Sequence, residues 1–151
     1  TNIITPNTNL DESRQEIAEY NLPLLTLDEQ HFSLYELQGK TIFMNFWATW
    51  CPPCIAEMPN IQALYEDVKP DENIVFVMVN LDEDKDKARN FLTRKGYTMP
   101  SYFLNGARPG MYDSSVVPTT YVISPEGKIV SERKGMANYN TQKFKDFLRS
   151  L

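Results

Sequence analysis

The clearest feature of the hydrophobic pattern is a pair of apolar runs of strand length. Residues 41–47 (TIFMNFW) and 74–80 (IVFVMVN) are apolar at nearly every position, which is typical of strands covered on both faces of a sheet. Shorter strands are predicted at 101–104, 119–124 and 128–133. The last two flank a Pro-Glu-Gly turn, so we expect them to form a hairpin.

Helical spacing occurs between these strands and after them. Residues 52–68 carry apolar side chains at helical spacing, and the prolines at the start are tolerated in a first helical turn. A charged helix is predicted over 82–95, ended by Gly96, and a final helix over 141–151. This order of strands and helices predicts an α/β fold, with a central mixed sheet flanked by helices.

The N-terminal part of the chain has a weaker pattern. Residues 1–9 are polar and predict a loose tail, and a short helix is predicted over 11–20. Two apolar stretches within 24–34, separated by a polar break, indicate a hairpin extension. We therefore predict two segments: a tail with a short helix at 1–21, and one folded domain at 22–151.

Composition and charge exclude some functions. A chain of 151 residues with 42% hydrophobic residues is long enough to bury one core. Its net charge of −5 disfavours nucleic acid as a partner. No apolar run approaches the roughly 18 residues of a membrane span. The sequence starts at Thr1, not Met, which fits either removal of a targeting segment or trimming of a longer chain.

The only two cysteines, Cys51 and Cys54, lie three positions apart at the start of the helix predicted over 52–68. A permanent disulfide across so short a loop would stabilise the fold little. A metal site needs more soft ligands, and the only histidine, His31, lies in a predicted turn. We therefore expect no metal, and we interpret the pair as redox-active.

Thiol–disulfide exchange needs a reachable thiolate and a second thiol that releases the mixed disulfide. Cys51 lies at the N-terminal end of the predicted helix, where the macrodipole and unpaired amide hydrogens favour an anion. Cys54 faces the same side one turn deeper. We therefore predict that Cys51 is the nucleophile and Cys54 the resolving thiol.

The stretch Trp50-Cys51-Pro52-Pro53-Cys54, between a predicted strand and helix, resembles the active site of the thioredoxin superfamily. The resemblance covers about residues 22–151. Other residues typical of the superfamily occur in the same order along the chain: residues 46–48, Pro59, residues 117–119 and Gly135. It implies a thioredoxin-like fold and a protein thiol–disulfide oxidoreductase.

Two features are similar to the extracytoplasmic branch typified by TlpA and ResA. One is the long segment 81–117, an insertion before the expected cis-proline; the other is the motif Cys-x-x-Cys-x-x-Glu, which ends at Glu57. The resemblance implies a secreted or membrane-anchored protein that reduces disulfides in other proteins, for example during cytochrome c maturation. It also implies an upstream thiol reductant, for which a membrane protein is one candidate, no cofactor, and a monomer.

The resemblance also implies a substrate groove. Pro118 is expected in cis, with the backbone of Val117 beside the two sulfurs, where it can pair with an extended substrate. The expected rim of the groove consists of Trp50, Pro52, Val117, Gly135 and Met136.

One departure from thioredoxin affects the proton chemistry. Asn45 stands where thioredoxin has a buried acid, and an amide cannot accept a proton in that way. Glu57, one turn beyond Cys54, is therefore the predicted acceptor of the Cys54 proton. The alternative is that Glu57 only interacts favourably with the helix dipole.

Two other functions stay open at this stage. Residues 48–51 faintly resemble the approach to the nucleophile of glutathione peroxidases, so a thiol peroxidase on the same fold is one alternative. Peroxiredoxins, however, have Thr or Ser three residues before the reactive cysteine, and here that residue is Ala48. The other alternative is a groove that binds or chaperones a client without turnover.

Overall fold

The computed structural model describes residues 16–151, which form eight strands and three α-helices. The strands are β1 Glu16–Ile17, β2 Pro23–Thr26, β3 His31–Ser33, β4 Thr41–Trp47, β5 Ile74–Asn80, β6 Ser101–Leu104, β7 Thr119–Ile123 and β8 Lys128–Lys134; the helices are α1 Pro52–Val68, α2 Lys85–Lys95 and α3 Gln142–Ser150. The strands form one sheet in the order β1-β8-β7-β4-β5-β6-β2-β3. The predicted α/β fold with a mixed sheet is confirmed.

Strand β4 lies inside this sheet, parallel to β5 and antiparallel to β7. All seven of its residues are buried, because the pleat sends alternate side chains into two separate cores. Phe43 and Trp47 pack with α1, α2 and α3. Met44 and Phe46 pack into the core on the opposite face of the sheet. The end of β4 is thereby fixed from both sides, and this end leads directly to the cysteines.

The long segment 81–117 contains α2, β6 and a short 3₁₀ turn at 110–112. Strand β6 continues the sheet parallel to β5 and pairs antiparallel with β2. Strand β2 pairs in turn with β3 across a tight connection. The segment before the cis-proline therefore links β2 and β3 to the rest of the sheet.

The short helix predicted over 11–20 is wrong for residues 16–20; residues 11–15 lie outside the described part of the chain. Residues 16 and 17 instead form β1, paired antiparallel with β8. Beyond β1, Ala18, Tyr20 and Leu22 are all buried while the residues between them are not. This alternation has the period of two of an extended chain, not the 3.6 of a helix.

No helix within residues 16–151 is both long and apolar enough to cross a lipid bilayer.

Candidate active site

The two cysteines lie at the junction of β4 and α1. Cys51 is the N-cap of α1, and its Sγ accepts a hydrogen bond from the backbone N–H of Cys54 at 3.3 Å. The two sulfurs are joined in a disulfide. Cys51 is 2% exposed, whereas Cys54 has no exposed surface. The small accessible surface of the pair thus belongs to Cys51, the predicted nucleophile.

Both residues between the cysteines are exposed prolines. Pro52 and Pro53 occupy the first two helical positions, where other residues would offer backbone N–H groups. The N–H of Cys54 is therefore the first donor of α1, and it is the one that reaches the Cys51 sulfur. The Cys51 sulfur consequently receives fewer backbone hydrogen bonds than an ordinary N-terminal turn could supply.

The turn before Cys51 is anchored by the carboxylate of Asp82, just beyond β5. Asp82 Oδ2 accepts from the Thr49 backbone N–H at 2.9 Å, and Oδ1 accepts from the Thr49 hydroxyl at 2.6 Å. Asn80 Nδ2 also donates to Asp82 Oδ2 at 2.7 Å. The ends of two neighbouring parallel strands are thereby tied together immediately beside the disulfide.

The Val117–Pro118 peptide bond is cis, as the sequence resemblance implies. Val117 packs against the same core cluster as both cysteines. The carbonyl oxygen of Pro118 accepts from the Gly135 N–H at 2.8 Å. Two of the segments predicted to rim a groove, around Val117 and around Gly135, are therefore joined to each other by a hydrogen bond.

The predicted rim residues differ in exposure. Trp50 projects into solvent with 62% of its surface exposed, so it is not a packing residue. Pro52 is also exposed, and Val117, Gly135 and Met136 are half-buried. All five thus have accessible surface, which a binding role for them would require.

Glu57 is fully buried in the layer beneath the disulfide. Its Oε1 accepts from Asn45 Nδ2 at 2.9 Å, and its Oε2 accepts from the Ala137 backbone N–H at 3.1 Å. Burial raises the pKa of Glu57 from 4.5 to about 7, although both hydrogen bonds and the charge of Arg133 act in the opposite direction. A carboxyl group with this pKa can both accept and release a proton near neutral pH.

Asn45 connects this carboxyl group to the sheet. Its Nδ2 donates to Thr120 Oγ1 at 2.9 Å as well as to Glu57. Asn45 and Thr120 are direct neighbours across β4 and β7. Burial, and secondarily the charge of Glu57, also raises the pKa of Tyr139 above its usual range. Several polar side chains therefore surround the buried carboxyl group of Glu57.

Four partners of this buried network are not indicated by the sequence pattern: Thr120, Arg133, Ala137 and Tyr139. Thr120 could have been found, because it lies two residues after Pro118 and the pairing of β7 with β4 places it beside Asn45. Asp82, which follows the apolar run of β5 by two residues, was likewise missed as an anchor of the Cys51 turn.

A comparison with known protein families decides the classification. The sequence profile of the Redoxin family matches residues 6–148. The chain belongs to the Redoxin family. The thiol–disulfide oxidoreductase ResA of Halalkalibacterium halodurans is 32% identical over 131 residues, which are 85% of this chain and 74% of that protein. ResA of Bacillus subtilis is 38% identical over 112 residues, which are 73% of this chain and 62% of that protein.

Solved structures agree with this placement. A DsbF homologue from Corynebacterium diphtheriae superposes with a TM-score of 0.74 at 27% identity, covering 93% of this chain and 90% of that one. A secreted disulfide oxidoreductase of Mycobacterium tuberculosis has the same fold, with a TM-score of 0.72, 20% identity, and coverage of 87% and 96%. The predicted thioredoxin-like fold and the ResA-like resemblance are confirmed.

This redoxin is a thiol–disulfide oxidoreductase, with relatives that carry that name and a Cys51–Cys54 pair at bonding distance. No group of three or more His, Cys, Asp or Glu side chains within residues 16–151 is arranged to hold a metal ion. His31, the only histidine, contacts Asn105 at an exposed position.

Proposed function

We propose that this redoxin reduces disulfides in extracytoplasmic client proteins, with Cys51 as the nucleophile and Cys54 as the resolving thiol. The observation that carries the proposal is the layered arrangement of the site. A nearly buried Cys51 lies at the helix start, Cys54 lies beneath it, and Glu57, with a pKa of about 7, lies one turn further along α1.

The reaction begins with the Cys51 thiolate attacking one sulfur of the client disulfide. A mixed disulfide forms, and the other client sulfur leaves as a thiolate. The Cys54 thiol then loses its proton to the Glu57 carboxylate and attacks the Cys51 sulfur. The second client sulfur leaves, and the product is the Cys51–Cys54 disulfide. Two electrons have passed to the client, and an upstream dithiol must return two electrons to the protein.

The direction of electron flow follows from how weakly the Cys51 thiolate is stabilised. Pro52 and Pro53 offer it no N–H, and no Lys or Arg occurs from residue 41 through 62. We therefore expect the pKa of the Cys51 thiol to be lowered only modestly. A reduced form that is not specially stabilised corresponds to a reducing couple, on the order of −220 to −280 mV.

The substrate side of the proposal is supported by the accessible rim formed by Trp50, Pro52, Val117, Gly135 and Met136. An extended client segment can pair with the backbone of Val117 while its disulfide contacts Cys51. The extracytoplasmic location is supported by the ResA-like relatives and by the structural neighbour that is described as secreted. Cytochrome c maturation is one process in which such a client would be reduced.

A trapping experiment tests the assignment of the two cysteines. Cys54→Ser leaves a nucleophile without a resolver, so it should accumulate a mixed disulfide with client proteins on a non-reducing gel. Cys51→Ser should accumulate none, and the double variant controls for non-specific capture. Equal trapping by both single variants, or by neither, would contradict the assignment.

A further inference from the structure

A cleft of about 610 Å³ lies beside the active site, between Trp50 and the exposed side of α2. Phe91 and Ile55 give it apolar lining. Its outer edge carries three basic residues, all exposed, at positions 87, 94 and 95. The spacing of Lys87, Phe91, Arg94 and Lys95 follows the i, i+4, i+7, i+8 pattern of one helix face. We call this cleft the basic cleft.

The cations of the basic cleft are unpaired, unlike the others on α2. Arg89 pairs with Glu29 at 3.0 Å and with Asp86 at 2.9 Å, and Lys85 lies 3.8 Å from Glu29. Within residues 16–151, by contrast, Lys87, Arg94 and Lys95 form no ion pair; Arg94 only covers the ring of Phe91 at 5.8 Å. A chain of net charge −5 thus leaves three cations of one helix face without an ion-pair partner.

A second cleft, of about 500 Å³, shares Trp50 and Lys87 with the basic cleft and is lined by the acidic residues 82–84. Two of its carboxylates are already used within the fold. Asp82 holds the Thr49 turn, and Asp84 caps α2 by accepting from the N–H groups of Asp86 and Lys87. Arg94 and Lys95 line the basic cleft but not this acidic one, so they are the cations beside Trp50 that are most available to another molecule.

The position of Trp50 connects the basic cleft to the reaction. Trp50 directly precedes Cys51, is 62% exposed and lines both clefts. A client whose disulfide reaches Cys51 must pass its flanking residues over or beside this side chain. Tryptophan is one of the residue types enriched among the energetic centres of protein interfaces.

We propose that the basic cleft binds an acidic segment that flanks the disulfide of the client protein. The proposal rests on the proposed reductase function and adds to it a rule for choosing substrates. Glu and Asp side chains of the client would pair with Lys87, Arg94 and Lys95, while an apolar residue would contact Phe91 and Ile55. Charges at the rim of an interface act mainly on the association rate and on specificity.

Binding is tested without turnover, so that the result does not depend on the redox function. Cysteine-free ten-residue peptides carrying four Glu, four Lys or four Gln are titrated against the oxidised protein at low salt, with fluorescence anisotropy as the readout. The Glu peptide should bind about tenfold more tightly than the Gln peptide, and the Lys peptide more weakly than both. The preference should fade at 0.5 M salt because the charges are exposed.

Two double variants distinguish an effect of the basic cleft from an effect of the protein's net charge. Arg94→Glu/Lys95→Glu should abolish the preference for the Glu peptide. Lys128→Glu/Lys143→Glu makes the same change of charge on β8 and α3, which do not line the cleft, and should keep the preference. Disulfide-containing versions of the three peptides should follow the same order in their reduction rates.

Several results would overturn the proposal. Equal binding of the three peptides would do so. An equal loss of the preference for the Glu peptide in both double variants would do so as well. Binding to phosphatidylglycerol vesicles but not to the Glu peptide would assign the cleft to a membrane surface instead. Failure to reduce the disulfide peptides despite selective binding would refute the reductase function, but it would leave the basic cleft as a site for acidic peptides.

Discussion

Replacement of Glu57 by Gln should change how the stability of the oxidised protein depends on pH. The pKa of Glu57 lies at about 7 in the folded protein, against an ordinary value of 4.5. Each pKa unit of this difference corresponds to 1.36 kcal/mol of free energy between the two protonation states. Ionised Glu57 therefore lowers the free energy of unfolding by about 3 kcal/mol relative to protonated Glu57, because its charge is buried without full compensation.

The sign follows from proton binding. Between pH 4.5 and pH 7 the folded state keeps a proton on Glu57 that the unfolded state has lost, so the stability of the wild type falls as the pH rises through this window. Below pH 4.5 both states are protonated, and above about pH 7 both are ionised. The amide of the Glu57→Gln variant has no such proton to lose. The difference in stability between this variant and wild type should therefore shift by about 3 kcal/mol in favour of the variant from pH 4.5 to pH 8.

The assay is urea unfolding of both proteins at half-unit steps from pH 4 to pH 9, followed by circular dichroism. The disulfide is kept intact so that neither cysteine titrates. Glu66→Gln serves as the matched control, because Glu66 is on the same helix but exposed; its curve should run parallel to that of wild type. The reasoning is refuted if the curve of Glu57→Gln also runs parallel to that of wild type.

Three further predictions concern the active site and its anchor. Glu57→Gln should slow the resolving step, most strongly near neutral pH, as measured by the decay of the mixed disulfide in stopped flow; an unchanged pH profile would leave Glu57 only a structural role. The couple should equilibrate with a glutathione buffer at ~−220 to −280 mV, read by tryptophan fluorescence; a value near −120 mV would make the protein an oxidant. Asp82→Ala removes three hydrogen bonds, two from Thr49 and one from Asn80, so it should lower the free energy of unfolding by about 2–3 kcal/mol; a loss below about 0.5 kcal/mol in urea unfolding would show that the anchor is not needed.

The strands and helices whose bounds the sequence predicts best are those marked by residues within the element itself. The bounds of β4, β5 and α1 are those predicted, because two apolar runs and the prolines at the start of α1 mark them directly. The start of α2 was predicted three residues too early. Asp82 is drawn out of the helix by its bonds to Thr49, and Asp84 is the residue that caps α2.

The candidate site likewise contains residues that the sequence brings together directly and partners that it does not. Cys51, Cys54 and Glu57 lie on one helix, so their spacing in the sequence already places them together. Other groups of the network are far away in sequence: Ala137, which lowers the pKa of Glu57, is 80 residues beyond it, and Thr120, which accepts from Asn45, is 75 residues from Asn45. Their positions depend on how β7 registers against β4 and on the path of the chain after β8, and neither can be read from local periodicity.

Asn45 and Glu57 act as a pair, in which the amide helps to set the pKa of the carboxyl group. An acid on β4 at this position would lie within hydrogen-bonding distance of Glu57, and two such carboxyl groups could not both ionise. An apolar residue there would remove one of the three effects that oppose burial, and would raise the pKa of Glu57 further. The Asn45 amide instead donates to Glu57 Oε1 at 2.9 Å, which favours the ionised form and limits the rise in its pKa. The buried acid can therefore be placed on the helix, one turn from Cys54, because the strand supplies a donor and not a second acid.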